Sequence, residues 1–170
     1  LLSNEHRPCY TGQSWEWEGV RFDMLHPPLE SYAQPIRKTR KTNDMSCVLK
    51  ITAGSSSVLL TADIEALTER ALLETPAALK STYLVVPHHG SRTSSTSEFI
   101  AAVDATTAIF PVGYRSRFRH PHPEVLARYE ASGARLLRTD LDGAVTLRLP
   151  SETQIVELER ARQRRYWHNG

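Results

Sequence analysis

Three side chains open a reading of chemistry from this sequence: Asp63, His88 and His89. Asp63 follows the apolar run Val58-Leu59-Leu60-Thr61, where a strand gives way to a helix. An ionised carboxylate at the end of a buried strand is costly unless something pairs with it. A plain alternative is a helix cap, because Asp is a favoured N-cap residue. His88 and His89 follow a second apolar run, Tyr83-Leu84-Val85-Val86, with Pro87 before and Gly90 after. They can be loop histidines bonded to backbone, or they can be ligands. The 25 positions from Asp63 to His88 suit one strand-helix-strand crossover. Both signals would then project from C-terminal strand ends, where α/β folds place their sites. A carboxylate and a neutral imidazole are suitable donors for zinc or manganese. Metal-bound water can be acidic enough to attack near neutral pH, so the chemistry suggested is hydrolysis.

A third cluster is His120-Pro121-His122-Pro123, which opens a helix and is preceded by Arg115, Arg117 and Arg119. Helix N-termini attract anions, so a phosphate contact is one reading of His120 and His122, and a capped, solvated loop is the other. Ser91 and the run 93–96 offer hydroxyls for the same purpose. The basic loop Arg37-Lys38-Thr39-Arg40-Lys41 and the Arg-rich tail at 160–165 can contact a phosphate backbone or can be solvated surface. No nucleophile elbow and no phosphate-binding glycine loop is present.

The elements that must position these residues are legible as punctuation. Residues 14–25 alternate apolar and polar about Glu18-Gly19, which predicts a β-hairpin. Residues 47–51 and 58–61 read as strands around a turn at Gly54. A helix is expected from Ile64 to Glu74, with Ile64, Leu67, Ala71 and Leu72 inward and Pro76 ending it. Strands at 83–86 and 108–112, a short helix at 97–103 and a helix from Pro123 to Ser132 follow. Strands near 136–137, 145–149 and 155–158 complete the series, with Asp140-Leu141-Asp142-Gly143 as a turn. Alternating strands and helices from 58 to 139 predict an α/β fold with a largely parallel sheet. The antiparallel front makes that sheet mixed.

Length fits one domain, assigned to 1–159 with a basic tail at 160–170. The net charge of +2 is too small to argue for or against nucleic acid. No apolar run approaches the roughly 18 residues of a membrane span. Cys9 and Cys47 form no zinc pair and no redox motif, and are expected as two buried thiols; only an oxidising compartment would favour a disulfide. The chain opens Leu1-Leu2-Ser3-Asn4 without Met, and is read as a segment of a longer protein.

Three motifs occur in order: Leu59-Leu60-Thr61-Ala62-Asp63-Ile64-Glu65, Val86-Pro87-His88-His89-Gly90-Ser91-Arg92-Thr93-Ser94-Ser95 and His120-Pro121-His122-Pro123-Glu124-Val125-Leu126. They resemble the C-terminal metallo-β-lactamase-like domain of the ComEC competence proteins. Residues 43–49, 138–144, 12–17 and 25–27 look like the same family. The resemblance implies a partial αββα sandwich with a mixed sheet. It implies zinc or manganese ions, with Asp63 as a metal ligand and His88 or His89 as the other, His88 being favoured as nearer the strand; Asp63, His88 and His89 form the catalytic set. Ser91, His120 and His122 would contact substrate. The implied activity is a nuclease that degrades the strand not imported during natural transformation. The implied partners are DNA, the rest of an inner-membrane channel and the N-terminal part of the same domain, on the extracytoplasmic side. The family's HxDxDH motif does not occur in these residues, so the segment is expected to be inactive alone. Ala62 and Arg119 stand where glycines are common. Two further readings are a non-catalytic DNA-binding module and a hydrolase of another phosphodiester, such as a phosphocholine group.

Overall fold

A computed structural model describes residues 7–33, 42–75, 79–149 and 155–163. The basic loop 37–41, Pro76 and the tail beyond 163 lie outside the described residues. The hairpin forms as the alternation predicts: β1 (Ser14–Trp17) and β2 (Val20–His26) pair antiparallel across Glu18-Gly19. A helical turn α1 (Glu30–Ala33) and a 3-10 turn (Thr42–Met45) follow. β3 (Val48–Ala53) and β4 (Ser56–Leu60) continue the antiparallel run. From β4 the pattern changes to parallel crossovers. Helix α2 (Ala66–Leu73) leads to β5 (Tyr83–Val85), α3 (Ser97–Val103) to β6 (Thr107–Phe110), and α4 (Pro123–Ala131) to β7 (Arg135–Arg138).

The seven strands lie in sequence order, β1 to β7, with β4 to β7 parallel. The mixed α/β sheet is therefore as expected. Consecutive right-handed crossovers in one direction put their helices on one face of the sheet. The core sits there: Leu59, Leu84 and Ala108 share one cross-strand row beneath Ile64, Phe99 and Tyr129. Burying each large apolar side chain contributes about 1.5–3 kcal/mol. The opposite face carries Phe22, Met24, Leu49, Ile51, Leu60 and Val85, all only partly buried. Among the described residues the other sheet is the hairpin of β8 (Val145–Arg148) and β9 (Ile155–Leu158). A full second layer of an αββα sandwich is not formed by these residues.

Some expectations are corrected. Residues 139–142 form a helical turn, α5 (Thr139–Asp142), before Gly143. A helical turn, α6 (Glu159–Arg162), follows β9, and Arg160 donates to the Asp140 carbonyl at 3.1 Å. Leu67 does not face inward: it is 69% exposed, whereas Glu69 is fully buried. Helix α2 starts at Ala66, and its inward face is Thr68, Glu69 and Leu72. Cys9 and Cys47 are not free thiols but a disulfide, with Cα atoms 6.1 Å apart. Residues 11 and 12 bond back to residues 27 and 24, and His26 pairs in register with Val48. Strand pairing thus brings together two cysteines that sequence separation had made look unrelated.

Candidate functional site

The loop after β4 and the loop after β5 meet at the C-terminal edge of the sheet. His88 donates its backbone N–H to the Ala62 carbonyl at 3.0 Å, which joins them. Asp63 is not the cap of α2; that position belongs to Glu65. The half-exposed Asp63 carboxylate faces His89 instead, with Oδ1 3.6 Å from Nε2. Glu65 faces His88, with Oε1 3.6 Å from Nδ1. The histidine that faces Asp63 is thus His89, and the one that faces Glu65 is His88. Both histidines lie in the left-handed backbone region, at φ 48° and 57°, and Gly90 follows at φ 79°. Left-handed conformations cost an ordinary residue about 1–2 kcal/mol each. Two in succession turn adjacent side chains toward different carboxylates.

His89 is oriented from behind. Its Nδ1 lies 2.8 Å from the Pro111 carbonyl, which can only accept, so Nδ1 carries the proton. In the neutral ring Nε2 is then a lone pair aimed at a carboxylate. Two acceptors at this distance call for a proton or a cation between them. A backbone carbonyl fixing the tautomer in this way is also the usual support of a metal-ligating imidazole. The donor types therefore suit zinc or manganese. Their number does not: catalytic zinc typically takes about three protein ligands. Among the described residues no three His, Cys, Asp or Glu side chains can hold one ion together.

His120 closes the cluster. Its ring centroid lies 6.1 Å from that of His88 and 6.4 Å from that of His89. Burial, then the neighbouring His88, His89 and His122, hold its pKa below the ordinary 6.5, so the neutral ring is favoured. His122 caps α4: its Nδ1 accepts from the Glu124 N–H at 3.4 Å. Ser91 is buried, and its hydroxyl lies 3.2 Å from that of Thr93. The structure thus gathers Asp63, His88, His89 and His120, and gives Ser91 and His122 local bonds in the supporting loops. Sequence reading missed Glu65, although it stands two residues after Asp63; Thr93, read as one of a run of hydroxyls, has its own 3.4 Å from His88 Nδ1.

Similarity to known proteins covers most of this site-bearing chain. It is 40% identical over 134 residues to Competence protein ComA of Neisseria gonorrhoeae, matching 78% of the chain and 18% of that protein. It is 37% identical over 137 residues to ComE operon protein 3 of Bacillus subtilis, matching 81% of the chain and 17% of that protein. The chain belongs to the ComEC family. Recombination protein 2 of Haemophilus influenzae is 31% identical over 154 residues, or 91% of the chain and 18% of that protein. The chain therefore spans under a fifth of the length of these curated ComEC-family relatives. No protein-family model matches it. Among the described residues no helix is long and apolar enough to cross a membrane.

The two positions where ComEC relatives were expected to carry glycine now have a physical account. Ala62 has φ 47° and Arg119 φ 56°, both left-handed. Ala62 is exposed, so Ala62→Gly removes strain without opening a cavity. It is expected to stabilise the chain by about 1 kcal/mol, a rise of roughly 2–4 °C in a thermal melt.

Proposed function

We propose that this segment supplies the aspartate-histidine wall of a phosphodiester-hydrolysing site in a DNA-uptake protein. The observation that carries the proposal is the His89 imidazole, held by Pro111 with its free nitrogen aimed at Asp63. Such a pair can hold a proton or a cation beside a scissile phosphate. Neutral His120 can donate to, or accept from, the same substrate. Zinc or manganese would need further ligands from elsewhere in the longer protein. The partly buried apolar sheet face is a surface for the remainder of the domain. A position on the extracytoplasmic side is supported by the disulfide, which persists in oxidising compartments.

The test is Asp63→Ala and His89→Ala in the full-length protein, assayed for manganese- or zinc-dependent DNA cleavage. Each is expected to reduce cleavage by roughly 100-fold. His88→Ala should cost less, because His88 faces Glu65 instead. Cleavage at the parental rate in the Asp63 variant would remove the assignment. A second reading is a DNA-binding module without catalysis. Salt-dependent DNA affinity with no metal-dependent cleavage would select it.

A further inference from the structure

The loop from 113 to 119 reads Gly-Tyr-Arg-Ser-Arg-Phe-Arg, and no acidic residue lies between Asp104 and Glu124. It presents two large rings to solvent: Tyr114 is 70% exposed and Phe118 is 66% exposed. Aromatic side chains of this size are usually placed in cores or interfaces. Here each ring carries an arginine. The Arg115 guanidinium lies 5.3 Å from the Tyr114 centroid, and that of Arg117 lies 4.9 Å from Phe118. The rings also lead somewhere. Phe118 stacks on His120 at 6.0 Å and 19°, and His120 stacks on His89 at 6.4 Å and 24°. An exposed aromatic thus begins a ladder of near-parallel rings that ends at the residue facing Asp63.

We infer that this loop is a stacking platform for an unpaired DNA strand. Exposed rings interleaved with cations match the chemistry of a nucleic-acid strand, whose bases offer flat π-faces and whose phosphates offer charge. A guanidinium over a ring occupies the place a base would take. When a base displaces it, the arginine remains within reach of the adjoining phosphate and can bind it in bidentate fashion. A duplex does not fit this surface as well, because its base faces are stacked on one another. The platform stands on its own observations. Its role as an approach to the Asp63–His89 pair rests on the proposed function.

The experiment is fluorescence anisotropy with the full chain and no divalent ions, so that binding is read without cleavage. The probes are an oligothymidylate of about 12 nucleotides, an abasic phosphodiester strand of the same length and the matching duplex. The oligothymidylate should bind tightest. Tyr114→Ala and Phe118→Ala should each weaken it about tenfold. Tyr114→Phe and Phe118→Tyr should retain parental affinity, because they keep the rings. Binding of the abasic strand should respond to none of the four substitutions. Alanine variants that bind like the parent would overturn the inference, as would a duplex or abasic strand that binds as tightly as the oligothymidylate. Either failure leaves the hydrolase reading standing, whereas an Asp63→Ala protein that still cleaves removes that reading and leaves the platform.

Discussion

Gly90→Ala is expected to destabilise the chain by about 2–5 kcal/mol and to separate the histidine loops. Gly90 lies at φ 79°, where any Cβ is strained. Space is also lacking. An added Cβ would sit 2.7 Å from the Pro121 Cβ and 3.0 Å from a ring carbon of Phe110. Neither neighbour is the loose end of a flexible side chain; both are buried. Pro121 adjoins His120, and the Gly90 carbonyl accepts the His122 N–H at 2.8 Å. The methyl group would therefore push directly on the loop that brings His120 against His88 and His89. Urea unfolding should show the loss. In the full-length protein the same substitution should lower any cleavage that depends on Asp63. Gly133→Ala is the matched control, since Gly133 has φ 78° but open space around it. If both variants lose equal stability, contact with Pro121 and Phe110 has no role.

The strands were legible because they are short apolar runs bounded by Gly, Pro and polar turns, and the helix at Ser97–Val103 was read to the residue. The meeting of Asp63 with the His88-His89 pair was legible for the same reason: one crossover between parallel neighbours returns the chain to one sheet edge. Which histidine faces Asp63 was not. That choice depends on two successive left-handed residues, and nothing in the residue types at 88 and 89 announces them. The disulfide was hidden because strand pairing, not proximity along the chain, brings Cys9 to Cys47. Helix α2 misled because Leu67 fits an apolar spacing and Glu69 does not. A buried carboxylate looks like an error in a periodic pattern until its partners across the fold are known.

Those partners make Glu69→Ala the other large expected effect, a loss of about 3–5 kcal/mol. The fully buried carboxylate accepts the Ser95 N–H through one oxygen and the Thr96 N–H, at 2.8 Å, through the other. Arg128 grips the same segment from its carbonyl side, donating to Ser94 at 3.2 Å and Ser95 at 2.6 Å. Tyr129 donates to the Ser95 hydroxyl at 3.2 Å. Ser95 itself is left-handed at φ 62°, a conformation this network must hold. Ser94 in turn donates to the Pro87 and Ser91 carbonyls, which ties the network to the histidine turn. Alanine leaves two backbone donors without their acceptor, at about 1–3 kcal/mol each, and adds a cavity. The pH dependence gives a separate check. Burial raises the Glu69 pKa above its ordinary 4.5, outweighing the backbone N–H groups and the Arg128 charge. A raised folded pKa means that the folded state holds the proton more tightly. The carboxyl's contribution is therefore fully present below 4.5 and declines as pH rises through the folded value. The stability gap between parent and Glu69→Ala should then narrow from pH 4.5 toward neutrality in urea unfolding. A gap that widens over that range would mean that the N–H donors and Arg128, not burial, set the charge state of Glu69.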